Sequence, residues 1–198
     1  MKPKILIIEG ADRVGKTTFI ETVKSSVSGD FPVFCPDTWN SDHTWEHIAK
    51  IEKETKGGLT HGWMELKRFP LQMYNMVSED SLIIKDRFAL SWRVFGEIIR
   101  PETSLKNAPE IQKALELTLL HYFDVLQLVI TISSPLIWYD ENKDKVKSMA
   151  ECCLSNYRFT KAETELPTIH IKTVDLGDWH THGLQIIEQW LNIQNQNL

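Results

Sequence analysis

The stretch Gly10-Ala11-Asp12-Arg13-Val14-Gly15-Lys16-Thr17 carries the spacing G-x-x-x-x-G-K-[ST]. Each residue type in it has a physical task. The glycines let the backbone curl until several N–H groups point inward, and those donors together with a helix N-terminus bind phosphate. Ala11, Val14 and Thr18 complete the cradling segment. Lys16 adds a mobile point charge for the outer phosphates of a nucleotide. Thr17 offers a hydroxyl to a Mg²⁺ ion that bridges phosphate oxygens. Asp12 and Arg13 are unusual here, because backbone binding of phosphate requires neither. An acid in the loop repels a polyphosphate unless it turns toward another ligand's hydroxyl groups. An arginine in the loop reaches the transferring phosphoryl group and offsets charge that develops in the transition state. A surface pair between Asp12 and Arg13 is the plainer alternative.

A second constellation is Leu82-Ile83-Ile84-Lys85-Asp86-Arg87, an apolar run ending in a carboxylate and a guanidinium. Beside a phosphate loop, such a carboxylate holds Mg²⁺ through water or a substrate group, and Arg87 faces a phosphate. The alternative is that Asp86 and Arg87 cap the strand and pair with each other.

Parallel strands and the helices between them must hold these residues. Lys4–Glu9 is β-branched-rich and barely alternates, so it reads as a strand buried on both faces. A helix over Lys16–Ser26 follows, then a strand over Phe31–Cys35 and a helix over His43–Lys56 ended by Gly57-Gly58. Thr60–Ser78 reads as helix with a kink or break at Pro70, and Ser81–Lys85 as a strand. Helices are expected over Ser91–Ile99 and Pro109–Val125, a strand over Leu126–Ile132, and a helix with a loose start over Asn142–Thr164. A strand over Thr168–Lys172 and an amphipathic helix over His182–Ile193 close the chain, the latter with Leu184, Ile187, Trp190 and Leu191 as its stripe. This order implies one α/β domain over residues 1–198, a parallel sheet with helices on both faces.

Composition narrows the function. The net charge is −5 with no dense Lys/Arg run, which argues against a nucleic-acid binder and requires that any anion site be locally positive. The apolar run Ile5–Ile8 falls far short of the roughly 20 residues of a membrane span, and Glu9, Asp12 and Arg13 cut it too early for a secretory signal. Cys35, Cys152 and Cys153 are odd in number and form no CxxC, so a reducing, cytoplasmic setting without disulfides or structural zinc is expected. Cys152 and Cys153 read as helix packing, Tyr157 as packing too, and His180-Thr181-His182 as solvated loop residues with no third ligand for a metal.

Ile8-Glu9-Gly10-Ala11-Asp12-Arg13-Val14-Gly15-Lys16-Thr17-Thr18 resembles the phosphate loop of thymidylate kinases of the eukaryotic and poxviral type, which carries an Asp and a basic residue. Asp86-Arg87-Phe88-Ala89-Leu90-Ser91 followed by Phe95 is similar to that family's second motif. The resemblance implies a three-layer P-loop kinase fold with a five-stranded parallel sheet and a short lid, here about 139–149. It implies Mg²⁺-dependent phosphoryl transfer from ATP to a deoxynucleoside monophosphate, dTMP above all, in nucleotide biosynthesis, and a homodimer. By the same resemblance Asp12 meets the sugar 3′-hydroxyl, Arg13 the transferring phosphoryl group, Arg68 and Arg87 the acceptor phosphate, and Trp63 or Phe69 stacks the base. Ser91 belongs to the acceptor side. A base stack contributes roughly 1–3 kcal/mol, although Trp63 and Phe69 read equally well as core.

The chain departs from that family in two places. Cys35-Pro36-Asp37-Thr38 stands where the second strand carries Phe-Pro-x-Arg, so one phosphate-binding arginine is missing, and Trp39 follows. The expected lid holds Lys143, Lys145 and Lys147 and no arginine. Arg13 in the loop makes a lid arginine less necessary. A deoxynucleoside kinase is the nearest rival. It needs a general base for a neutral 5′-hydroxyl, and Cys35 rather than Glu precedes Pro36, although Asp37 is near. A P-loop switch or scaffold without kinase activity is the other; intact Lys16, Thr17 and Asp86 weigh against it.

Overall fold

The computed structural model describes residues 2–11, 14–27, 29–36, 60–99, 108–135, 149–173 and 178–193. The expected helix at 43–56, Asp37, Trp39, the lid at 139–149 with its lysines, and the loop residues Asp12 and Arg13 lie outside the described residues. The described elements are β1 (Lys4–Gly10), α1 (Lys16–Val27), β2 (Val33–Phe34), α2 (Thr60–Met76), β3 (Leu82–Asp86), α3 (Ala89–Ile99), α4 (Ala108–Tyr122), β4 (Asp124–Ile132), α5 (Met149–Lys161), β5 (Thr168–Thr173) and α6 (Asp178–Ile193).

The strands form one parallel sheet in the order β2-β3-β1-β4-β5. Every residue of β1 is buried, as expected for a central parallel strand covered on both faces. Side chains alternate along it. Leu6 and Ile8 join Phe19, Ile20 and Val23 of α1 and Ile187 and Leu191 of α6 on one face. Ile5 and Ile7 join Phe69 and Met73 of α2, Trp92 of α3 and Leu115 and Leu119 of α4 on the other. A smaller cluster of Val94, Phe95, Val129 and Phe159 seats α3 against α5. The chain builds β2 and β3 on one side of β1, then β4 and β5 on the other. The carboxyl edge of β1 is therefore the point at which an open α/β sheet accepts a ligand.

Several boundaries differ from the sequence expectation for identifiable reasons. Helix α2 runs unbroken from Thr60 to Met76 with Pro70 inside, so no break occurs there. Helix α4 stops at Tyr122, and Asp124 and Val125 belong to β4 instead; the Asp124 amide donates to the Pro3 carbonyl at 3.0 Å, extending the ladder beside β1. β2 shrinks to Val33–Phe34, and α5 ends at Lys161 rather than Thr164. Tyr157 is exposed rather than packed. Cys152 is buried as expected, while its neighbour Cys153 is only half-buried. Helix α6 begins at Asp178, four residues ahead of His182, because buried Trp179 anchors a stripe that continues through Ile187 and Leu191. The pair His180 and His182 is therefore helical, not part of a loop.

Candidate active site

The phosphate-loop segment leaves β1 through Gly10, whose φ is 138°. Its register partner on β4 is Ile130, and a Cβ on Gly10 would stand 2.2 Å from the Ile130 carbonyl oxygen. The central strands thus approach too closely here for any side chain. Gly15 has φ 85°, so both motif glycines occupy backbone conformations that L side chains rarely adopt. Helix α1 opens at the next residue, with the Phe19 amide donating to the Gly15 carbonyl at 3.0 Å.

Lys16 turns back into this curl. Its buried ammonium donates to the carbonyls of Ala11 at 2.6 Å and Gly10 at 3.2 Å. A cation is thereby stored under the loop, in reach of the helix N-terminus. Ala11 and Val14 are buried, while Thr17 and Thr18 are exposed on the first turn of α1. Trp179 and His180 of α6 flank Gly15, the His180 Nε2 lying 3.4 Å from where a Gly15 Cβ would be. Phe19 packs against both rings. Burial holds the His180 imidazole below its ordinary pKa, and the Gly15 backbone pulls weakly the other way. Neutral His180 is therefore the form that suits this packing. Sequence reasoning missed Trp179 and His180, because nothing in the chain before α6 marks them as neighbours of the loop.

β3 runs parallel to β1 with Asp86 opposite Ile8, so the Asp86 carboxylate and the loop share one edge of the sheet. Arg87 follows with φ 65°, a positive φ found at no other non-glycine residue among the described residues. A left-handed conformation costs an ordinary residue about 1–2 kcal/mol. The corner persists because several contacts fix it. The Arg87 amide donates to the Ile8 carbonyl at 3.0 Å, and its guanidinium lies 4.6 Å from the Phe95 ring centroid. Beneath them Glu9, fully buried, accepts from the Phe88 amide at 2.8 Å, the Ser91 amide at 3.3 Å and the Ser91 hydroxyl. Burial pushes the Glu9 carboxyl above the ordinary carboxylate range, while the Ser91 and Phe88 hydrogen bonds and the Arg87 charge oppose that rise.

Of the other expected site residues, Ser91 is fully buried with its hydroxyl committed to Glu9. Phe69 is 1% exposed, 5.9 Å from Phe88 ring to ring, with the buried Lys85 ammonium 5.4 Å from its centroid. Its ring is therefore a core element. Arg68, next to it on α2, is exposed. Trp63 lies on α2, with its side chain outside the described residues. Sequence reasoning passed over Glu9 and Lys85; the signal for each was a charged residue inside an otherwise apolar strand.

Among the described residues no group of three or more His, Cys, Asp and Glu side chains is placed to hold a metal, and no helix is long and apolar enough to cross a membrane. No protein-family model matches the chain, and no curated protein sequence matches it. Solved structures do. The YorR protein of Bacillus subtilis, crystallised with phosphorylated GDP, superposes with a TM-score of 0.61 at 13% identity over 98% of both chains. The chain has the P-loop kinase fold. Thymidylate kinase from Candida albicans shares that fold at a TM-score of 0.58 and 17% identity, covering 95% of this chain and 92% of its own. A gluconokinase from Sinorhizobium meliloti does so at 0.53 and 14%, over 97% of each. Proteins with names this different share the fold, so the fold by itself does not identify an activity.

Proposed function

We propose that this protein transfers the γ-phosphoryl group of ATP to a deoxynucleoside monophosphate, with dTMP as the preferred acceptor. One observation carries the reading: the buried Lys16 ammonium is folded against the Gly10 and Ala11 carbonyls at the carboxyl edge of β1. That places a cation at the mouth of a helix, at the end of the strand that launches the loop. In this reading the ATP phosphates lie along Gly10, Ala11, Val14, Gly15, Lys16, Thr17 and Thr18, and backbone amides and the α1 terminus carry most of the charge. The Thr17 hydroxyl and the Asp86 carboxylate are hard oxygen donors, and with phosphate oxygens and water they make a set that suits Mg²⁺. When bound, the ion would neutralise charge on the phosphates.

The acceptor lies on the Arg87 side. Arg87 and Arg68 hold its phosphate and Asp12 its sugar hydroxyl. Because the Phe69 ring is buried in the core, stacking of the base falls to Trp63. Arg13 supplies its guanidinium to the transferring group. A monophosphate oxygen is already an anion, so no general base is required and catalysis is positioning plus charge stabilisation. Closure of 139–149 excludes water that would otherwise hydrolyse ATP.

A coupled ADP-release assay over dTMP, dUMP, dCMP, dGMP and dAMP, with thymidine as the unphosphorylated control, tests this reading. Acceptor-dependent turnover is expected with a monophosphate, highest with dTMP, and none with thymidine. Turnover with thymidine alone would transfer the assignment to a nucleoside kinase. ADP release independent of every acceptor would remove the kinase assignment.

A further inference from the structure

We infer that Glu9 is a positioning residue that fixes the Asp86–Arg87 corner, and with it the acceptor side of the site, to the phosphate loop. The inference rests on the phosphotransfer reading above and adds a residue to it. Glu9 is the last side chain before Gly10, so it belongs to the strand end that launches the loop. Its carboxylate is shut off from solvent. It crosses from β1 to the start of α3, where one oxygen accepts the Phe88 and Ser91 amides and the other the Ser91 hydroxyl.

These bonds satisfy amides at the N-terminal turn of α3 from a neighbouring strand. They also bracket the strained residue. Arg87 at φ 65° stands between Asp86 in the β3 ladder and Phe88 bound to Glu9, so both flanks of the left-handed turn are tied to β1. Through the Ile8 carbonyl, β1 holds the Arg87 amide as well. Consecutive residues of one strand therefore fix the backbone on both sides of the guanidinium, which lies against the Phe95 ring. Glu9 touches neither nucleotide in the proposed reading; it acts through Arg87. A carboxylate at full burial carries a desolvation cost that a merely packed position would avoid with an apolar side chain, which is why its three hydrogen bonds read as its purpose.

The two variants Glu9→Gln and Glu9→Asp separate reach from charge. Glutamine keeps the length and an oxygen for both amides, and its NH₂ can donate to the Ser91 hydroxyl oxygen. Aspartate keeps the charge but is one methylene short. A misplacement of about 1 Å costs on the order of 100-fold in rate. Glu9→Asp is therefore expected to raise the acceptor KM or lower kcat by a combined factor of about 30 or more, with the ATP KM within about threefold of the parent. Glu9→Gln is expected to stay within about threefold on every constant. Hydrogen exchange at the Phe88 and Ser91 amides should quicken in Glu9→Asp and not in Glu9→Gln. This second readout needs no turnover, so a parent inactive toward every monophosphate would end the functional reading while the exchange still judges the tether. Three results overturn the inference: Glu9→Gln as impaired as Glu9→Asp, Glu9→Asp with unchanged exchange, or ATP and acceptor constants worsening together.

Discussion

Lys16→Ala is expected to abolish acceptor-dependent ADP release while leaving the fold intact. The ammonium is buried and donates to the Gly10 and Ala11 carbonyls, both within six residues of Lys16, so these contacts are local to the loop. Alanine is the best helix former, and position 16 opens α1, so the helix start tolerates the change. The loss falls on the phosphates. Hydrogen bonds to charged groups contribute about 1.5–3 kcal/mol each, and a donor aimed at transition-state charge is worth about 100- to 1,000-fold in rate. Lys16 is proposed to lie on the outer phosphates in both binding and transfer, so a fall of about 1,000-fold is expected. The coupled assay gives the rate, and a circular dichroism melt within a few degrees of the parent confirms the fold. Activity within tenfold of the parent would remove Lys16 from the site.

The second large effect is on stability. Gly10→Ala places a methyl group 2.2 Å from the Ile130 carbonyl oxygen and 3.1 Å from the Ile130 carbonyl carbon and amide nitrogen. The obstacle is backbone in the centre of the sheet, not a flexible side chain that can swing away. The residue must also hold φ 138°. A conformational outlier of this kind costs about 1–3 kcal/mol, and overpacking adds about 1–3 kcal/mol more. Against a total stability of roughly 5–15 kcal/mol, β1 and β4 must separate at their last register pair. The melting temperature of a domain this size moves about 2–4 °C per kcal/mol, so a drop of roughly 10 °C is expected. Gly29→Ala is the matched control: a Cβ there meets nothing within 4 Å, and no loss is expected. Equal melting of the two variants would show that the strand approach at Gly10 is not as described.

Much of this was legible in the chain because the signals were local. The glycines, Lys16 and Thr17 sit within eight residues of each other in the printed order, and the apolar runs around Ile5, Ile83 and Leu128 are unmistakable as buried parallel strands. The Asp86–Arg87 pair was equally plain at a strand end. What escaped was decided by tertiary contact. Glu9 looked like a polar end to an apolar run, and only the register of β1 with β3 brings it under Phe88 and Ser91. His180 looked like a loop residue until Trp179 drew the start of α6 onto Phe19 and Gly15. Phe69 had the aromatic character a base stack needs, yet Phe88 and Lys85 close over it. Helix α2 continued through Pro70 because Phe69 and Met73, on either side of it, are both buried against the sheet, and packing outweighs one missing amide.

The segment from Gly10 to Thr18 is proposed as the seat of a nucleotide's phosphates, and a crystal structure of the protein with ADP and Mg²⁺ tests that directly. The β-phosphate is expected within hydrogen-bond distance of the Gly15, Lys16 and Thr17 amides, with the Lys16 ammonium drawn off the Ala11 carbonyl onto a phosphate oxygen. A structure with ADP bound elsewhere, or with Lys16 still on Ala11 and no phosphate beside it at saturating nucleotide, would contradict it.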